Sequence, residues 1–141
     1  MANDAIYTVI DTNVLVSFLL AGGDSPVVTI FDAVRRDKLR PLYSSYLLRE
    51  YRRVLLSDRF GFDKETVYLM LQFFEIHGKG VEQVDKGSSL VDSKDSPIFD
   101  IVQSTRECHS ILVTGDIKHY PKMDYVVTPR ELADRLNVQP P

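Results

Sequence analysis

The chain has 141 residues, 44% of them hydrophobic and 26% charged, with a formal net charge of −3, a composition that can bury a substantial core in one compact domain and that excludes intrinsic disorder. Asp11 or other polar residues interrupt every apolar run well short of a bilayer span, and the N-terminus lacks a basic segment leading into an apolar stretch and cleavage site, so a cytoplasmic protein without membrane association is expected. The single cysteine, Cys108, excludes an internal disulfide and a thiolate metal site, and it is expected to be a small buried hydrophobe.

The first element is a buried strand over Ile6 to Ile10, and Asn13 to Leu20 reads as a helix ending near the turn Ala21-Gly22-Gly23-Asp24. Ser25-Pro26 is a helix start, with Val27, Ile30, Phe31 and Val34 recurring at helical spacing after it. Leu39 to Tyr43 is a short strand, and Ser44 or Ser45 can cap a helix running to about Ser57. Asp63 to Ile76 is a further helix whose stripe Val67, Leu71 and Phe74 suits core packing, stopped by His77-Gly78. Val81 to Val84 is a weak strand, Asp95 to Glu107 a helix, and Ile111 to Thr114 and Tyr125 to Val127 are strands. Thr128-Pro129-Arg130-Glu131 is a capping box opening the last helix. One domain is expected over residues 1–141, with 137–141 as a frayed tail containing Gln139-Pro140-Pro141.

Apolar strands alternating with helices predict an α/β fold, a mostly parallel sheet covered by helices on both faces. In that architecture the functional crevice lies at the carboxyl ends of the strands. Asp11 follows the first strand, Glu50 lies in the helix after the second, Asp95 opens a helix after the third, and Asp116 follows the fourth. Each aspartate has a plainer role available, Asp11 and Asp95 as helix N-caps and Asp116 in a Gly-Asp turn. Glu50 fits a plain role less well. In helical projection it borders the apolar stripe of Leu47, Leu48, Tyr51, Val54 and Leu55, with Arg49 and Arg53 on the other side, and a glutamate at a core margin needs a partner or a cation.

Converging carboxylates without paired bases repel one another unless a cation sits among them. An all-oxygen cluster suits one or two Mg²⁺ or Mn²⁺ ions, and the expected chemistry is hydrolysis of a phosphodiester by a metal-activated water. Between Arg35 and Lys64 nine Lys and Arg stand against four acids, a balance suited to attracting a polyanion, although most such runs are solvated helix faces. His77, His109 and His119 form no metal-ligand spacing on one helix and are expected in surface or capping roles. The tyrosines and phenylalanines are expected mostly in the core, with no stacking platform.

Four stretches carry a resemblance: Val9-Ile10-Asp11-Thr12-Asn13-Val14-Leu15-Val16, Ser44 followed by Leu47-Leu48-Arg49-Glu50-Tyr51, Asp92-Ser93-Lys94-Asp95-Ser96-Pro97, and Ile111-Leu112-Val113-Thr114-Gly115-Asp116. Their order and spacing resemble the motifs of the PIN-domain family, most closely its branch of toxin components related to VapC-like ribonucleases. The resemblance implies a Rossmann-like three-layer α/β/α sandwich and an Mg²⁺- or Mn²⁺-dependent endoribonuclease, with Asp11, Glu50, Asp95 and Asp116 as the acidic quartet that is both catalytic and metal-binding. It implies Asn13 and Ser44 as supporting polar residues, RNA as substrate, an antitoxin as partner, and a homodimer. Arg49, Arg52, Arg53 and Lys118 are then candidates for steering RNA. Two positions depart from the family pattern: Ser96 and Lys118 stand where many relatives carry a further aspartate, and Lys118 brings a positive charge near the expected pocket.

Two other phosphate chemistries fit the chain poorly. A phosphatase of the haloacid dehalogenase type needs a second aspartate two residues after the first, where this chain has Asn13. A response-regulator receiver expects paired acids at the first strand and a phosphorylatable aspartate ending the third. A PIN-type RNA-processing nuclease outside any toxin pair, and an RNA- or protein-binding module of the same fold with weakened chemistry, are the remaining alternatives.

Overall fold

The computed structural model describes residues 5–21, 25–82 and 96–137. Within them the order is β1 (Ile6–Ile10), α1 (Thr12–Leu20), α2 (Pro26–Arg35), β2 (Leu39–Tyr43), α3 (Ser45–Leu55), α4 (Lys64–His77), β3 (Lys79–Gly80), α5 (Ser96–Ser104), β4 (Ile111–Val113), β5 (Val126–Val127) and α6 (Pro129–Asn137). The strands form a five-stranded, all-parallel sheet in the order β3-β2-β1-β4-β5, the central layer of a three-layer α/β/α sandwich. β1 lies at its centre because Val9 and Ile10 are fully buried apolar residues, as a strand covered on both faces requires.

The helices start where local chemistry sets them. Ser25 Oγ accepts the Val27 N–H and Pro26 fills the first turn of α2, while Ser44 Oγ accepts the Leu47 N–H and starts α3. Thr128 and Glu131 form the reciprocal capping box, with contacts of 2.9 and 3.2 Å. α3 buries Leu47, Tyr51 and Leu55. The buried Tyr51 hydroxyl donates to the Ile10 carbonyl at the end of β1, which pins α3 over the carboxyl edge of the sheet.

Several boundaries differ from those read in the sequence. Of the strand expected over Val81 to Val84, residues 83 and 84 lie outside the described residues; among those described, β3 is the pair Lys79–Gly80, set by β2, and pairing continues as Val81 N–H to the Tyr43 carbonyl at 2.7 Å. The helix expected from Asp95 to Glu107 ends at Ser104, and a 3-10 turn, Arg106–Cys108, follows it. Asp95 lies outside the described residues, as do Gly22, Gly23, Asp24 and residues 138–141, whereas Asn137, placed in the tail, is the last residue of α6. On α4 the buried stripe is Val67, Met70 and Phe74, and Leu71 is only half-buried. Cys108 is half-buried too, its thiol directed at the Thr105 carbonyl.

Gly78 ends α4 at a close crossing over β2. A Cβ there would stand 2.4 Å from the Pro41 carbonyl oxygen and 2.6 Å from that of Phe74, both backbone atoms that cannot swing aside. Gly78→Ala is therefore expected to destabilise the protein by about 1–3 kcal/mol, read as a lowered denaturant midpoint at unchanged m-value.

Candidate active site

The register of the two central strands builds the site. Thr8, Val9 and Ile10 of β1 stand beside Ile111, Leu112 and Val113 of β4, so the next residues, Asp11 and Thr114, emerge together at the carboxyl edge. The Asp11 N–H bonds the Val113 carbonyl at 3.0 Å and the Thr114 N–H bonds that of Val127 at 3.0 Å, extending the ladders to that edge. This is also where the chain order switches direction from β1 toward β4, the place at which open α/β sheets form their ligand crevices.

Asp11 occupies the N-cap position of α1, yet its side chain makes no cap hydrogen bond. Its carboxylate is turned sideways. One oxygen, Oδ2, accepts from Thr114 Oγ1 at 2.7 Å, Tyr120 OH at 3.1 Å and Asn13 Nδ2 at 3.3 Å. Asn13 in turn accepts the Gly115 N–H at 2.9 Å through Oδ1. A Cβ on Gly115 would lie 3.2 Å from that oxygen, so the glycine permits the close approach. Thr114 Oγ1 also accepts the Asp116 N–H at 3.0 Å, and one hydroxyl thereby ties Asp11 to the loop carrying Asp116.

A crevice of about 290 Å³ opens over this edge. Asp11, Thr12 and Asn13 line it from the end of β1, Tyr46, Leu47, Glu50, Arg53 and Val54 from α3, Pro97 and Ile98 from α5, and Asp116 and His119 from the loop after β4. Three of the four carboxylates expected at the site therefore share one cavity. The fourth, Asp95, lies outside the described residues, one position before α5 begins. Asn13 donates to the Asp11 carboxylate and accepts the Gly115 amide; Ser44 is buried and caps α3.

The acids are not bare. The Arg53 guanidinium meets both carboxylate oxygens of Glu50, Nε to Oε2 at 3.2 Å and Nη2 to Oε1 at 3.0 Å. His119 Nδ1 stands 3.1 Å from Asp116 Oδ2. Helical projection had set Arg53 on the far side of α3 from the acid, but residues three apart are only about 60° apart around a helix, and a long side chain reaches back across that interval. The 3-10 turn Ile117–His119 likewise brings His119 over Asp116, because positions three apart eclipse in that geometry. His119 is exposed, as expected, and also lines the crevice. Lys118 is exposed and lies off the crevice wall.

The basic stretch also divides. Arg49 and Arg52 face a separate groove between α3 and α4, together with Lys64, and Arg35 is held by Asp32 at 2.6 Å. Of the three α3 arginines only Arg53 reaches the carboxylates. His77 pairs with Asp37 at 3.2 Å, and His109 takes a left-handed turn conformation after the 3-10 turn, both in keeping with peripheral roles.

Burial is the largest influence on the Asp11 carboxyl and raises its pKa above the ordinary value; the Thr114 and Tyr120 hydroxyls and the Thr12 amide oppose the rise, and the charge of Asp116 adds to it. Burial, then the charge of Asp11, push the Tyr51 phenol well above its usual range, keeping it protonated as the donor to Ile10. The oxygen-only donor set of Asp11, Glu50 and Asp116, with a buried carboxylate whose hydrogen-bond donors are all neutral, fits a hard divalent cation. Among the described residues no group of three or more His, Cys, Asp or Glu side chains is drawn together tightly enough to enclose a metal. The three acids are thus a partial ligand set spread around the crevice.

The hydrogen bonds that Thr114, Tyr51 and Tyr120 make at the site were not apparent from the sequence. Thr114 was within its reach, since pairing the two most apolar strands in parallel puts the residue after each side by side. Tyr120 comes to Asp11 by a return of the chain that no local pattern announces.

The raised pKa of Asp11 gives a stability signature in metal-free protein. Its folded-state value lies above the unfolded one, so the stability it contributes is whole below the unfolded value and is lost as pH rises through the folded value. Asp11→Asn, which keeps an acceptor for the hydroxyls but carries no charge, is expected to melt above wild type in a chelator. The gap should widen from ~pH 4 to ~pH 7, as measured by thermal melts.

A family model described as "PIN domain" matches residues 7–118. The fold is similar to that of the crystal structure of PAE2754 from Pyrobaculum aerophilum, at 17% identity and a TM-score of 0.61, covering 96% of this chain and 92% of that one. No curated protein matches the sequence. No helix among the described residues is long and apolar enough to cross a membrane. With the matched region running from β1 through the loop of Asp116, the chain belongs to the PIN-domain family, a family of nuclease fold.

Proposed function

We propose that this PIN domain is a divalent-metal-dependent endoribonuclease and the toxin component of a toxin–antitoxin pair. The observation that carries the enzymatic part is the crevice over the β1/β4 edge, where Asp11, Glu50 and Asp116 share one cavity and Asp11 is 5% exposed. PIN domains generally use divalent metal ions, and Mg²⁺ or Mn²⁺ is the choice that oxygen donors favour. Asp11, Glu50 and Asp116 would hold the cation, with Asp95 from the adjoining segment as the fourth acid. When bound, the cation lowers the pKa of water to yield a nucleophile at neutral pH and offsets charge on the phosphodiester.

The chain's own residues do the positioning. Thr114, Tyr120 and Asn13 fix the Asp11 carboxylate by one oxygen, so the orientation of the other is set before any ligand arrives. Tyr51 locks α3 to β1 and keeps Glu50 facing the crevice. The toxin role, an antitoxin partner, a homodimer and a cytoplasmic location are supported by the resemblance of the four acidic motifs to the toxin branch.

One observation favours a second reading. Glu50 and Asp116 are each engaged by a basic side chain, which leaves them less available to a metal and favours a module that binds RNA without cutting it.

Cleavage of single-stranded RNA in Mn²⁺ separates the two. Wild-type protein is expected to cut and to stop in a chelator, Asp11→Ala to lose at least about 100-fold, and Thr114→Val to lose about 10–100-fold through misorientation of Asp11. RNA binding without cleavage by the wild type would decide for the second reading, and an unchanged rate in Asp11→Ala would refute the site. Growth arrest on expression, relieved by Asp11→Ala, is the expected sign of a toxin; normal growth despite active enzyme would point to a processing nuclease.

A further inference from the structure

We infer that Arg53 is an internal counter-ion for Glu50 that yields its place to the divalent cation and is thereby released to bind a phosphate of the RNA. The inference rests on the metal-dependent reading above and goes beyond it. Its basis is the two-pronged contact: Nε and Nη2 of Arg53 take Oε2 and Oε1 of Glu50 at 3.2 and 3.0 Å. Both oxygens are engaged by the guanidinium, so a cation that takes either oxygen of Glu50 competes with Arg53 for the same carboxylate charge and is repelled by it while the pair stays closed.

Such an exchange is physically easy. The Arg53 side chain is 67% exposed and that of Glu50 33%, and an ion pair this exposed is worth little because water screens it. A divalent cation held by several carboxylates outbids one guanidinium for Glu50. Arg53 nevertheless stays on the crevice wall, anchored through α3, whose Tyr51 is fixed to β1. A released guanidinium there meets the substrate's flanking phosphates, for which its planar fork is well matched. Arg49 and Arg52 face the α3/α4 groove instead and cannot substitute from the same helix.

The arrangement also resolves an electrostatic conflict. An acidic pocket repels RNA when no metal is present, and Arg53 moderates that repulsion by neutralising one acid. Once Glu50 takes the cation, Arg53 becomes a positive charge available to RNA. Metal occupancy and RNA affinity are then coupled through one side chain, and the coupling is reciprocal.

The test is Mn²⁺ binding followed by electron paramagnetic resonance of the free ion, without RNA, in wild type, Arg53→Ala and Arg53→Lys. Arg53→Ala is expected to bind Mn²⁺ about 5-fold more tightly than wild type, by loss of a competitor worth a surface ion pair; Arg53→Lys, which keeps the charge but not the fork, should fall between them. RNA binding, read by fluorescence anisotropy with the probe shown on a gel to be still intact, should be slightly weaker for Arg53→Ala than for wild type in a chelator and weaker by a several-fold larger factor in Mn²⁺. Wild type that binds Mn²⁺ with Arg53→Ala unchanged or weaker would overturn the role given to Arg53 and leave the nuclease reading standing. Wild type that binds no Mn²⁺ would overturn both. Equal melting temperatures in a chelator are expected, because the side chain is mostly in solvent.

Discussion

The parallel pairing of β1 with β4 positions every other part of the site. Ile10 beside Val113 makes Asp11 and Thr114 neighbours at the sheet edge, and their 2.7 Å contact turns the aspartate away from capping α1. The same threonine receives the Asp116 amide, the Ile10 carbonyl anchors α3 through Tyr51, and α3 presents Glu50. A shift of one residue between these strands would reverse the facing of each. The fully buried Val9, Ile10, Leu112 and Val113 make such a shift unfavourable, because it would turn each side chain of the strand that moves into the helix layer on the opposite face, where its packing partners differ.

The hydrophobic layer thus does chemical work indirectly. It removes Asp11 from water, which raises its pKa, and leaves a carboxylate whose charged form is less favourable than it would be in water. The hydroxyls of Thr114 and Tyr120 moderate that penalty without neutralising it, since neutral donors stabilise a carboxylate less than a positive charge does. Glu50 and Asp116 are more exposed and carry their own basic partners. The pocket therefore contains one buried acid fixed by neutral donors and two flanking acids with displaceable partners, the guanidinium of Arg53 and the imidazole of His119, a division set by depth along the sheet edge.

Much of this was legible in the sequence, for physical reasons that differ by element. β1 is a continuous apolar run and its bounds were plain; Ser25-Pro26 and the Thr128 capping box are side-chain chemistry that acts within one turn and reads directly. The order of acids after strands gave the crevice, because a parallel sheet gathers its strand ends on one side. β3 was misplaced because two residues, Lys79 and Gly80, pair by the position of β2 and not by apolar pattern. The bases of the crevice were missed because a projection by angle ignores the reach of arginine and because a 3-10 turn, Ile117–His119, eclipses residues that an α-helical spacing separates. Tyr120 came from the tertiary fold alone.

The central claim is that Asp11, Glu50 and Asp116 form one cation-binding edge on the β1/β4 seam. Substoichiometric Mn²⁺ added to ¹⁵N-labelled protein tests it most directly, since paramagnetic broadening reports distance from the bound ion. Selective loss of the amide signals of Asp11, Glu50, Gly115 and Asp116, absent in Asp11→Asn, is the predicted result. Broadening confined to the Arg49 and Lys64 groove or elsewhere, or broadening at these four that survives Asp11→Asn unchanged, would contradict it.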